Sequence, residues 1–320
     1  MYFEISLTKL NNNILKLKNI NKDFMAVIKA NAYGFGKEMV TQILLDNNIN
    51  KVIFYNIYEA IDHRKKYLNL EIYCVFIRDK IDLYKDYQII PIVCSYLDLE
   101  IIKNHNLFSW LMIDVNNFFI GISHNEEINF SKYPILGLMS HVKRELLDIH
   151  KNDILNYYEN KSVFNKSITR SDSFDKLGLN EFPRFGKNLY FYNKFIKTEN
   201  IGIAYADIIN IKYFSKGQCI GYDLNPLLED TKVIIINAGY GDGITYQHQF
   251  MYFNQVKLPV LQLTMNLAFL NGNNIEIDLI DKIDVYGNFL DLAEKIDVDQ
   301  RFLSTNISHS VFRHYYKQIN

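Results

Sequence analysis

An N-terminal (β/α)8 barrel of the TIM type, followed by a smaller, mostly β C-terminal domain, is the architecture that this 320-residue sequence predicts. Three observations predict it. Up to about residue 195, short runs of strand-forming residues alternate with amphipathic helical stretches, the rhythm of βα units around a parallel sheet. Eight such runs fall within the first two hundred residues, the number a parallel barrel needs. Beyond the polar stretch Lys197-Thr198-Glu199-Asn200 the rhythm changes to closely spaced strands separated by Gly, Asn and Pro turns.

The barrel strands are expected at residues 24–29, 52–56, 71–77, 89–93, 110–114, 135–140, 167–170 and 189–192. In such a barrel the active site lies at the C-terminal ends of the strands. Lys29, Asp114, His141 and Arg170 fall there. The second domain should be antiparallel, with strands at 207–214, 232–238, 256–263 and 275–280. The expected division is residues 1–200 and 201–320, with the first few residues pairing with the C-terminal domain.

Composition narrows the function classes. Hydrophobic residues make up 48% and charged residues 22%, which excludes a disordered or fibrous chain. The formal net charge of −1 supplies no field that would favour nucleic acid or an anionic membrane, so a small-molecule partner is expected. Cys74, Cys94 and Cys219 are widely spaced, with neither metal-ligand spacing nor a disulfide framework, which suits a reducing compartment. The start of the sequence has no basic segment followed by an apolar run. No later stretch reaches the roughly 18 apolar residues of a membrane span. A cytoplasmic protein is expected.

The most informative segment is Ala26-Val27-Ile28-Lys29-Ala30-Asn31-Ala32-Tyr33-Gly34-Phe35-Gly36. It ends a buried strand on a lysine and continues into a glycine-punctuated loop. Desolvation at such a place disfavours an ammonium and prepares a neutral amine for Schiff-base chemistry. The plainer alternative is a lysine snorkelling from the barrel rim. The wider pattern decides against it. This run resembles the pyridoxal phosphate (PLP) lysine signature of the alanine racemase family almost residue for residue, and the resemblance continues in order along essentially the whole chain.

The resemblance implies that Lys29 holds PLP covalently and acts as one of two acid/base groups at the substrate Cα, with Tyr33 contacting the cofactor phosphate. Gly137-Leu138-Met139-Ser140-His141 matches the family's strand ending in a histidine, which places His141 beside the PLP ring. In the family that histidine hydrogen-bonds the catalytic tyrosine and the arginine at the ring nitrogen. Phe182-Pro183-Arg184-Phe185-Gly186-Lys187 resembles the Arg-x-Gly element before the last barrel strand. Arg184 then donates to the pyridine nitrogen and keeps it unprotonated, a weaker electron sink that favours racemisation over transamination. Gly186 and the backbone N–H of Lys187 cradle the phosphate, because glycine allows close approach. The phosphate-binding serine of the family is either Ser171 or Ser173.

In the second domain, Gly217-Gln218-Cys219-Ile220-Gly221-Tyr222 resembles the loop that presents the second catalytic residue, Tyr222, to the neighbouring subunit's PLP. Ala238-Gly239-Tyr240-Gly241-Asp242-Gly243 follows at family spacing and implies Tyr240 near the substrate entrance. Leu263-Thr264-Met265-Asn266 takes the place of the family's Met-Asp pair, with the Met265 backbone N–H toward the substrate carboxylate and Asn266 replacing an aspartate. Two bases on opposite faces of Cα are what racemisation needs. A tyrosine supplied across an interface implies a symmetric homodimer.

The sequence departs from the family at Met112 and Phe119, which stand where a lysine, often carbamylated, and an arginine normally do. That arginine binds the PLP phenolate oxygen and the substrate carboxylate, a charge-assisted contact worth about 1.5–3 kcal/mol. Three readings stay open: an alanine racemase with an altered carboxylate site, a racemase of another small amino acid such as serine, and a PLP-binding protein with weak or no catalysis.

Overall fold

The computed structural model describes residues 1–115, 119–142, 144–161, 164–169, 181–222 and 225–317. Its strands, in chain order, are β1 (Tyr2–Ser6), β2 (Met25–Val27), β3 (Lys51–Phe54), β4 (Glu71–Val75), β5 (Ile90–Val93), β6 (Ser109–Asp114), β7 (Ile122–Ser123), β8 (Ile135–Val142), β9 (Asn165–Thr169), β10 (Arg184–Phe185), β11 (Gly202–Phe214), β12 (Thr231–Ile236), β13 (Phe250–Phe253), β14 (Val256–Leu263), β15 (Ala268–Asn271), β16 (Lys282–Asp284) and β17 (Phe312–Tyr316). The helices are α1 (Leu7–Ile20), α2 (Lys29–Tyr33), α3 (Lys37–Asp46), α4 (Ile57–Lys66), α5 (Ile81–Asp86), α6 (Tyr96–Asn104), α7 (Arg144–Glu159), α8 (Lys187–Tyr190), α9 (Phe289–Lys295) and α10 (Gln300–Asn306). Two compact units result. One comprises Lys9–Ala32 with Lys37–Asn200, the other Met1–Thr8, Tyr33–Gly36 and Ile201–Asn320.

The first unit is a nearly closed parallel sheet in the order β10-β2-β3-β4-β5-β6-β8-β9, with β7 alongside β6. Its interior is filled by Met25, Ile53, Tyr73, Ile92, Trp110, Met112 and Met139, large apolar side chains turned inward from successive strands. Met112 is therefore a packing residue of the barrel interior. Helices follow the strands with local capping signals. Asn56 accepts hydrogen bonds from Tyr58 N and Glu59 N at the start of α4, whose last turn carries His63, Arg64, Lys65 and Lys66 against the helix dipole.

The eighth strand corrects the expectation. Residues 189–192 are aromatic and strand-like in composition, yet Lys187–Tyr190 form a single helical turn, in which the Tyr190 hydroxyl donates to Val27 O at 3.1 Å. Arg184–Phe185 make the strand instead, in parallel register with Met25 and Ala26. A buried arginine disguised it. Between β9 and β10 the closure is irregular: Phe182 N donates to Lys166 O at 2.6 Å, and Ile168 N to the Glu181 carboxylate at 3.0 Å.

The second unit is an eight-stranded sheet in the order β12-β15-β14-β13-β16-β11-β1-β17, and an added β11–β12 pairing closes six of its strands into a ring. It is mostly antiparallel, but β1 runs parallel to β17. The strand expected at 275–280 is absent. Its alternating apolar and acidic residues imitate a strand, but Asp278 and Asp281 make a turn, with Asp278 N donating to the Asp281 carboxylate at 2.8 Å and Ile280 exposed. Strand β15, Ala268–Asn271, pairs with β12 in its place. Among the described residues no helix is long and apolar enough to cross a membrane.

Candidate active site

Two groups of side chains emerge, one on each unit. At or just past the C-terminal ends of the barrel strands lie Lys29, Tyr55, Asp114, Phe119 and His141, and the side chain of Arg184, which opens β10, reaches across to the end of β8. Lys29 follows β2, and its ammonium sits over the Tyr55 ring at 4.0 Å from the centroid, a cation–π contact. Burial pushes the Tyr55 phenol above its ordinary value, while the Arg184 charge works in the opposite direction.

The chain leaves Lys29 in an unusual way. Ala30, Asn31, Ala32 and Tyr33 have φ of 52°, 53°, 53° and 55°, a left-handed turn built from non-glycine residues. Each costs about 1–2 kcal/mol relative to the right-handed form. Polar contacts hold it: the Glu59 carboxylate accepts from Asn31 N at 2.7 Å and Ala30 N at 3.1 Å, and the Asn31 side chain accepts from Lys37 N at 2.9 Å. The turn delivers Gly34, at φ +86°, where a Cβ would stand 2.0 Å from Ser304 O. No side chain fits there.

Glu59 was not singled out from sequence, although the Asn-cap pattern of α4 placed an acid in a first turn facing the strand ends. Glu59→Ala is expected to destabilise this segment by roughly 2–3 kcal/mol, the scale of two charge-assisted hydrogen bonds discounted for partial exposure. Hydrogen exchange across residues 29–33 measures it. Unchanged protection would show that the turn stands without the carboxylate.

Arg184 is buried on β10 and donates to the backbone oxygen of Ser140, tying β10 to β8 one residue before His141. Burial lowers its pKa from the ordinary guanidinium value. Ser140 is itself held, its hydroxyl bonded to Ile113 O at 2.7 Å and to the Tyr158 hydroxyl. Phe119 stacks on His141 with ring centroids 4.7 Å apart and planes at 29°, and its backbone N donates to the Asp114 carboxylate at 3.0 Å. Gly186 caps the short helix begun by Lys187. Ser171, Ser173 and Arg170 lie outside the described residues.

In the other unit Tyr33 is buried, and its phenol hydrogen-bonds Arg301, whose guanidinium is also gripped by the Asp299 carboxylate at 2.8 and 2.7 Å. Tyr222, Tyr240 and Met265 share one cavity of about 400 Å3 with Tyr246 and Gln262. Loop 239–243 is fixed against Met265, since Tyr240 N donates to Thr264 O at 3.0 Å and Gly241 N to Met265 O at 2.8 Å. The Tyr222 side chain is 88% exposed, so its own unit leaves the phenol uncovered.

The donor set at the barrel mouth suits PLP. A primary amine at a strand end can condense with the cofactor's carbonyl. A guanidinium, which donates and never accepts, matches an unprotonated pyridine nitrogen. An aromatic shelf, Phe119 on His141, offers a ring-sized apolar surface.

A TIM-type barrel with basic groups gathered at its strand C-termini, continued by a β domain, defines the class of protein. Residues 5–145 match the family model for the alanine racemase N-terminal domain, and residues 203–315 match that for the C-terminal domain. The chain belongs to the alanine racemase family. It is 25% identical to an alanine racemase of Mannheimia succiniciproducens over 91% of this chain and 90% of that one. In fold it is similar to an alanine racemase from Clostridium difficile 630, with a TM-score of 0.87 at 19% identity over 99% of this chain and 95% of that one. The structure of the Bartonella henselae alanine racemase with covalently bound pyridoxal phosphate gives a TM-score of 0.86 at 18% identity, over 98% and 99% of the two chains.

Proposed function

We propose that this protein is a PLP-dependent racemase that interconverts L- and D-alanine with Lys29 and Tyr222 as its two acid/base groups. The observation that carries the reading is Lys29 at the end of β2, in the same barrel mouth as the buried Arg184, in a chain of this family. When bound, PLP supplies the electron withdrawal that loosens the substrate Cα–H bond. Lys29, His141, Tyr33, the backbone at Gly186 and Lys187, and Ser171 or Ser173 would hold it, with Arg184 facing its ring nitrogen. Lys29 takes or returns the Cα proton on one face. Tyr222 of the partner subunit does so on the other, which requires a homodimer. Met265 N–H orients the substrate carboxylate, and Tyr240 lines the approach.

Serine is the second reading, since the Phe119–His141 stack gives no charge to a substrate carboxylate, a group that alanine and serine share. Among the described residues none of Cys74, Cys94 and Cys219 is in a disulfide, which fits a reducing cytoplasm. Incubation of the PLP-loaded protein with a panel of L-amino acids, read by chiral chromatography, tests the proposal. D-alanine should form fastest. Faster conversion of serine would move the assignment to that substrate, and no conversion of any amino acid with PLP bound would leave only a cofactor-binding role.

A further inference from the structure

Tyr222 sits at the tip of a loop, and the geometry of that tip is set from another strand. The loop's stem is regular: Gly217 N donates to Leu227 O at 2.8 Å, Leu227 N to Gln218 O at 2.8 Å, and Cys219 bridges Pro226. Ile220 anchors one side by burying its side chain with Val233, Ile235 and Phe269. Past Ile220 the apolar anchoring ends. Gly221 turns left-handed at φ +60°, and Tyr222 projects into solvent. Among the described residues the ring is exposed rather than packed, so the backbone at 221–222 sets its direction.

That backbone is gripped by Gln262. Its side-chain oxygen accepts a hydrogen bond from Tyr222 N at 3.1 Å. The same oxygen fills the face of Gly221, where a Cβ would lie 1.7 Å from it, so glycine is the residue that lets the amide come this close. Strand β14 is built to aim this side chain. Its pairing with β15 slips between Val260 and Gln262, a bulge that inserts Leu261, which packs against the Ile220 cluster. A bulge re-aims the side chains that follow it. One irregularity thus serves both anchors of the loop, the apolar one through Leu261 and the polar one through Gln262.

We propose that Gln262 is a positioning residue for Tyr222: it fixes the Gly221–Tyr222 peptide and thereby the direction of the phenol. This rests on Tyr222 being the second acid/base. Gln262 touches neither cofactor nor reacting atoms in this scheme. Its effect reaches only the face of Cα that Tyr222 serves.

The test uses the PLP-loaded protein in D2O, following deuterium entry at Cα of each alanine enantiomer separately, because exchange on a single face does not require inversion. Gln262→Leu, which keeps the bulk and removes the acceptor, should slow exchange on the Tyr222 face about two- to thirteenfold, the value of one hydrogen bond of about 0.5–1.5 kcal/mol. Exchange on the Lys29 face should hold. Gln262→Glu, which retains an acceptor, should restore most of the loss. In a Tyr222→Phe background, Gln262→Leu should add nothing further, since the two act as one unit. Amide hydrogen exchange of the cofactor-free protein gives a second readout, with protection lost at the tip of loop 217–227 in Gln262→Leu alone.

Equal slowing on both faces, or additivity with Tyr222→Phe, would assign Gln262 a general structural role and overturn the proposal. Unchanged exchange in Gln262→Leu beside a strongly impaired Tyr222→Phe would overturn it and leave the two-base reading intact. An unimpaired Tyr222→Phe would instead remove the reading on which it rests.

Discussion

Lys29→Ala is expected to lower racemisation by at least about 10^4-fold, because it removes a positioned acid/base group, itself worth roughly 10^2–10^4-fold, together with the covalent anchor of the cofactor. The fold should survive. Lys29 follows β2, where Met25, Ala26 and Ile28 are fully buried, and its side-chain nitrogen rests on the Tyr55 ring. The visible absorbance of lysine-bound PLP should vanish from the variant. In the native protein, borohydride followed by peptide mapping should find the reduced adduct on Lys29. An adduct on another lysine, or a variant that keeps near-native turnover, would refute the cofactor assignment.

Mixing two inactive variants should restore activity. A Lys29→Ala homodimer lacks every anchor lysine, and a Tyr222→Phe homodimer lacks every second base. In a heterodimer one site is whole, since it joins Lys29 from one chain with Tyr222 from the other. Random reassortment makes about half the dimers mixed, each with one of two sites intact, so recovery should approach about a quarter of native activity. The motivating feature is a phenol 88% exposed on the β unit, at the tip of a loop remote in sequence from Lys29. Native mass spectrometry must establish that subunits have exchanged. Confirmed heterodimers without recovered activity would mean that Tyr222 does not act across the interface.

The two departures from the family pattern, Met112 and Phe119, also have a structural rationale. Met112 packs among Trp110, Tyr73 and Met139 in the barrel interior, where a charged side chain would need a buried partner. Phe119 turns onto His141 and its backbone is tied to Asp114. The two departures are therefore compatible with each other, one apolar residue filling the interior and the other covering a histidine at the rim.

Much of the molecule was legible in order along the chain, and the reason is local. Runs such as Val52-Ile53-Phe54 and Ile135 to Met139 carry their burial in their own periodicity, so seven barrel strands could be placed before any contact was known. The signature around Lys29 is equally local, a lysine at a strand end followed by glycines. What tertiary structure alone decided depends on partners distant in sequence. Resemblance singled out Arg184 as a cofactor-facing residue, but only the fold shows that it is buried on a strand beside Met25 and bonded to Ser140 O. The left-handed turn at Ala30–Tyr33 contradicts the preferences of its own residues and exists because Glu59, in another helix, supplies the acceptor. Alternation at 275–280 promised a strand, but pairing of Ala268–Asn271 with β12 took the place in the sheet. The hold of Gln262 on Tyr222 spans forty residues and rests on a bulge. Periodicity encodes which face is buried, whereas strain, register slips and buried polar pairs are stable only when both partners are in place, so no single segment announces them.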